Sequence, residues 1–177
     1  KARRFSTRRA STGLFLRVKS SSSFFLPRFP SLFLLSPKNS LLRFWRVVHG
    51  NIQYTKEEDT DIFTFPGGRG WKGGYLPYIV IENYRYLHIR LRNLSDSCNC
   101  FNLEINNEDF PLLQRKKIPI KMPANDRWYV YEIPIPSDIK IPLNYLAVSD
   151  PLGTFELSSI SFSEMTWQGT DEVIAVD

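Results

Sequence analysis

Residue types able to do chemistry are few in this chain and lie far apart. There are two histidines, His49 and His88, and two cysteines, Cys98 and Cys100. His88 sits between Arg85 and Arg90 in an alternating run, where neighbouring cations disfavour the protonated ring; that is the setting of a surface histidine. No serine stands in a Gly-x-Ser-x-Gly elbow, and no His-Glu-x-x-His pattern offers a metal helix. Nothing pairs a nucleophile with a base, so the chain reads as a protein that is not an enzyme, with no cofactor.

Cys98-x-Cys100 supplies two soft ligands, but a zinc site needs four and no second pair exists. Two cysteines this close can bridge only with strain, which makes them free thiols in a reducing compartment. Glu57, Glu58, Asp59 and Asp61 form a carboxylate cluster without the calcium-hand pattern, and read as a solvated acidic turn. Residues 67–74 (GGRGWKGG) resemble a phosphate cradle, yet lack the Gly-Lys-Ser/Thr ending and a following helix. They read as a turning loop, with Arg69, Trp71 and Lys72 as a candidate partner contact. Trp71, Trp128 and Trp167 with Tyr75, Tyr78, Tyr84 and Tyr86 are the aromatic set from which a sugar-stacking platform could be built.

The charge is split. Residues 1–50 carry 11 Lys/Arg and no Asp or Glu, whereas residues 51–177 carry 12 basic and 18 acidic side chains. A segment at +11 therefore joins a body at −6, and the acidic body repels phosphate over most of its surface. The division places a basic, apolar-rich extension at 1–50 and one domain at 51–177. Residues 1–19 are rich in Arg and Ser, which fits a mitochondrial transit peptide for the matrix or the matrix face of the inner membrane; plastid targeting is the rival. The apolar run at 24–35 is broken by Pro27, Arg28 and Pro30, so it is not a membrane span. Phe25, Phe29, Phe33 and Leu35 fit a partner's groove, and Arg3, Arg4, Arg8 and Arg9 fit either a protein surface or rRNA phosphates.

The elements that must position these residues are strands. Leu87, Ile89 and Leu91 alternate with His88, Arg90 and Arg92; Phe101, Leu103 and Ile105 alternate with Asn102 and Glu104. Tyr129, Tyr131, Ile133 and Ile135 repeat the period, and Pro and Gly punctuate throughout. About eight short strands without an amphipathic helix predict an all-β antiparallel sandwich or jelly roll. Its expected core is Leu87, Ile89, Leu91, Phe101, Leu103, Ile105, Trp128, Ile160 and Phe162.

The run Tyr86-Leu87-His88-Ile89-Arg90-Leu91-Arg92, then Trp128-Tyr129-Val130-Tyr131-Glu132-Ile133-Pro134, then Gly153-Thr154-Phe155-Glu156-Leu157-Ser158-Ser159-Ile160 resembles the galactose-binding-like jelly roll of carbohydrate-binding modules. More particularly it resembles the mitochondrial complex I intermediate-associated domain. That resemblance implies a non-catalytic accessory or assembly subunit of a respiratory complex of the inner membrane, whose partners are the other subunits. A mitochondrial ribosomal protein with an rRNA-contacting arm is the first alternative, and a carbohydrate-binding module the second.

Overall fold

The computed structural model describes residues 40–107, 116–136 and 142–177. They form a 3-10 turn (Leu41–Phe44) followed by eleven strands. In chain order these are β1 (Arg46–His49), β2 (Gln53–Glu57), β3 (Thr60–Phe65), β4 (Trp71–Ile79), β5 (Tyr86–Asn93) and β6 (Asn99–Asn106). Then come β7 (Lys116–Met122), β8 (Trp128–Pro134), β9 (Leu143–Ser149), β10 (Phe155–Ser163) and β11 (Glu172–Ala175). One sheet has the order β1-β4-β9-β6-β7, the other β11-β8-β5-β10-β3-β2. Every neighbouring pair is antiparallel except β11, which runs parallel to β8. The expected all-β sandwich is the architecture observed.

The alternating positions meet between the sheets. Leu87, Ile89 and Leu91 face Phe101, Leu103 and Ile105, with Tyr131, Ile133, Leu146, Val148 and Ile160 filling the same layer. Each such side chain contributes about 1.5–3 kcal/mol by leaving water. Phe65, Phe155 and Phe101 stack in a row with centroid separations of 4.7 and 4.6 Å, which ties β3 through β10 to the opposite sheet at β6.

Trp128 is not in this core. Because Tyr129, Tyr131 and Ile133 point inward, strand parity turns Trp128 to the outer face, where the guanidinium groups of Arg90 and Arg92 lie 4.4 and 4.8 Å from its ring centroid. Phe162 is only partly buried at the margin of the core. Three more strands form than the eight expected. β1, β2 and β11 are short and largely exposed, so backbone pairing holds them and no apolar alternation marks them.

Folded structure begins well before residue 51. Leu42 and Trp45 are buried in the core, and β1 pairs with β4. Ser40 Oγ accepts hydrogen bonds from the N–H groups of Leu42 (3.2 Å) and Ile160 (3.1 Å). β3 covers β10 only as far as Leu157, so Ser40 takes up a donor that the ladder leaves free. The cations Arg43 and Arg46 are exposed here, which is why charge alone assigned the segment to the extension.

Candidate functional site

The hairpin β2–β3 closes through Glu58 and Asp59, with Glu58 in the left-handed region at φ 52°. Its register sets Tyr54 opposite Phe63 and Lys56 opposite Asp61, so all four share one face. Tyr54 Oη donates to Asp61 Oδ1 at 2.7 Å, and this bond to a carboxylate raises the phenol's pKa. The ring packs at 5.2 Å against Phe63 while Tyr54 as a whole stays 55% exposed.

Across from the hairpin runs the chain from Ser40 to Val47. Trp45 is anchored by edge contact with Phe63 (4.9 Å) and by stacking on Phe65 (5.7 Å). Between the two walls, where edge strands β1 and β2 leave the sandwich open, lies a groove of about 670 Å³. Trp45, Tyr54 and Phe63 give it aromatic walls, and Arg43, Lys56, Asp59 and Asp61 give it charges of both signs. Trp45 is 6% exposed, and its Nε1–H has no hydrogen-bond acceptor among the described residues. That atom is itself shielded from solvent, so the half-exposed Tyr54 ring is the surface that the groove offers to a ligand. The size lies within the range of small-ligand sites.

A second aromatic and charged region covers the outer face of the six-stranded sheet. Its register lines up Ser161, His88 and Glu132 across β10, β5 and β8. His88 is not a surface residue: it is 2% exposed, with Nε2 at 3.1 Å from Glu132 Oε2. Burial lowers its pKa, and the hydrogen bond and charge of Glu132 oppose that only in part. Residues 164–171 cross this face as a strap. The Trp167 N–H donates to Glu132 Oε2 at 2.6 Å, and its ring lies edge-on to His88 at 5.5 Å. Asp171 accepts two hydrogen bonds from Arg90, of 3.2 and 3.1 Å, and Glu156 accepts from Arg92. The histidine–carboxylate pair is therefore a closed packing unit.

The seven aromatics of the expected platform do not converge. Trp128, Trp167 and Tyr86 belong to the strapped face, where Tyr86 stacks with His88, and Tyr84 packs on Phe162. Trp71 and Tyr75 lie on the other sheet against buried Tyr145, with centroids at 5.0 and 5.3 Å. Trp71 also lies against His49, with ring centroids 5.0 Å apart.

The glycine loop is a turn tied to the chain near Asp150. The Gly70 N–H donates to Asp150 Oδ1 at 2.8 Å, and the Gly68 N–H to the Pro151 carbonyl at 2.8 Å. Arg69 is exposed on it; Trp71 opens β4; Lys72, on the opposite side of that strand, is buried with Nζ donating to the Gly68 carbonyl at 3.0 Å. A Cβ on Gly73 would fall 2.5 Å from that of Ala147, so the glycine there permits β4 and β9 to approach. Arg3, Arg4, Arg8, Arg9, Phe25, Phe29, Phe33 and Leu35 lie outside the described residues. Among the described residues, no three of His, Cys, Asp or Glu are grouped to hold a metal ion, and no helix is long and apolar enough to cross a membrane. Trp45, Tyr54 and Phe63 were missed as a site because only the meeting of two edge strands brings them together.

No protein-family model matches the chain, and no curated protein sequence does. Solved structures do share its sandwich. One is a family 29 carbohydrate-binding module, 9% identical with a TM-score of 0.48 over 68% of this chain and 79% of that one. A variant of a family 29 module complexed with cellulohexaose gives 9% and 0.48 over 68% and 81%. PfGH50B gives 13% and 0.51 over 69% of this chain but only 22% of its own length. The expectation of a respiratory-complex subunit is thereby corrected: the solved structures found with this sandwich include carbohydrate-binding modules, and nothing links the chain to complex I. The strand pattern behind that expectation is the inward alternation of β5, β6, β8 and β10, which any jelly roll needs to bury its core. What stands of the resemblance is the β-sandwich fold.

Proposed function

We propose that the domain is a non-catalytic carbohydrate-binding module whose ligand lies in the groove between Trp45 and the β2–β3 hairpin. The observation that carries this reading is the half-exposed Tyr54 ring, fixed by its hydrogen bond to Asp61 in a groove walled by Trp45 and Phe63. A sugar ring has an apolar face of C–H bonds and a rim of hydroxyls. The first suits the exposed ring of Tyr54, and the second donates to carboxylates such as Asp61. Charges of both signs in the groove suit a neutral ligand, because neither an anion nor a cation finds an uncontested partner. A binding role also agrees with the closure of His88 and Glu132 beneath Trp167, which keeps the histidine–carboxylate pair from a substrate.

The test is calorimetric titration of the full chain with soluble oligosaccharides, cellulohexaose among them. Saturable binding by the native protein, weakened at least ~10-fold in Tyr54→Ala and in Asp61→Ala, is expected; tenfold corresponds to about 1.4 kcal/mol. Binding that is unchanged in both variants would place the ligand elsewhere, and no binding to any oligosaccharide would sink the reading.

A further inference from the structure

Cys98 and Cys100 flank Asn99 at the start of β6, and the alternation there is regular. Asn99 and Phe101 are buried inward, whereas Cys98 is exposed and Cys100 half-exposed on the outer side. Residues two apart on an extended chain project to the same side. Lys121 is the cross-strand partner of Cys100 on β7 and adds a positive charge beside the pair.

A disulfide does not suit this backbone. An extended strand rises about 3.3 Å per residue, so the two Cα atoms stand near the upper limit, roughly 6.8 Å, that a disulfide spans. Drawing the sulfurs to about 2.05 Å would bend the strand at Asn99. That residue is fixed from both ends of its amide: Nδ2 donates to the Gly153 carbonyl at 2.7 Å, and Oδ1 accepts from the Gly153 N–H at 3.0 Å. A metal ion between the sulfurs makes a weaker demand. Two bonds of about 2.3 Å hold sulfurs up to ~4.6 Å apart, which leaves β6 extended.

We infer that Cys98 and Cys100 form a two-coordinate clip for a soft, thiophilic monovalent cation, with Cu(I) as the chemical type. Soft thiolates favour Cu(I), and two ligands in line satisfy it, whereas tetrahedral zinc would be left half-coordinated. On binding, both thiols release their protons, two metal–sulfur bonds form, and the complex carries one negative charge that Lys121 faces. No electron is transferred.

The full chain holds two cysteines, which makes the stoichiometry decisive. Reduced protein, kept free of oxygen, is titrated with Cu(I) in competition with the chromophoric chelator bathocuproine disulfonate. One Cu(I) per chain should be withdrawn, at least ~10-fold more weakly after Cys98→Ser or Cys100→Ser, and not at all by the double variant. Lys121→Ala should weaken binding several-fold without changing the stoichiometry. Equal uptake by the native protein and the double variant would overturn the inference. So would one ion shared by two chains, or a single variant with native affinity. Cys98 is exposed, so Cys98→Ser leaves packing intact and reads out binding alone.

Discussion

The groove at the β1–β2 edge and the strapped face of the six-stranded sheet are built from the same kinds of side chain, aromatic rings among acids and bases. They differ in what they present to solvent. On the strapped face Arg90 is matched by Asp171, Arg92 by Glu156 and His88 by Glu132, and the Trp128 ring carries guanidinium groups. In the groove, the Tyr54 ring is more than half exposed. Both regions keep buried polar atoms without a partner among the described residues, Trp45 Nε1 in the groove and Trp167 Nε1 with His88 Nδ1 on the strapped face. The difference is therefore one of access: charges paired beneath a strap hold the fold together, while an exposed ring can take a ligand.

This contrast can be broken from either side. The largest effect is expected on the strapped face. Glu132→Ala removes the acceptor of both His88 Nε2–H and the Trp167 N–H, and should cost about 3 kcal/mol in urea unfolding. Tyr54→Ala, at the exposed ring, should change stability by less than about 1 kcal/mol while removing ligand binding, a separation that calorimetry and unfolding on the same sample can read.

The pH dependence should also belong to one region. Burial lowers the pKa of His88, so the folded protein binds its proton less readily than the unfolded chain. Its contribution is whole above the unfolded value near 6.5 and is lost as pH falls through the lower folded value. Melting temperatures recorded from neutral to mildly acid pH should therefore fall, His88→Gln should flatten that dependence, and Tyr54→Ala should leave it as in the native protein. The smallest effect concerns the hairpin tip: Glu58→Gly relieves a left-handed conformation that disfavours a Cβ, and should raise stability by about 0.5–1 kcal/mol without touching the groove walls.

Legibility in the sequence followed burial. Leu87, Ile89, Leu91, Phe101, Leu103 and Ile105 declare themselves by alternation, because each strand has one face in the core. The same rule assigns Trp128 outward once Tyr129 is inward; its size pulled it into the expected core against that parity. β1, β2 and β11 carry no such signal, since main-chain pairing at a sheet edge is indifferent to side chains. The groove stayed hidden for the same reason, compounded by a charge boundary that assigned Trp45 to the extension. His88 shows the opposite error: its neighbours in sequence are cations, but its neighbours in space are Glu132, Trp167 and Tyr86.

The strand order has a consequence for how the chain is made. β9 is the strand that joins β4 to β6, and β10 joins β3 to β5. Both are encoded after residue 142, so a nascent chain that has emerged only that far holds separate strand pairs (β1–β4, β2–β3, β5–β8 and β6–β7) with open edges and no second layer. The two wedge strands must then enter late and together, closing loops of tens of residues, and the Phe65–Phe155–Phe101 stack forms only at that moment. Synthesis of this domain therefore ends with its most cooperative step. A ribosome stalled before residue 143 presents the cell with exposed β-edges for chaperones to shield.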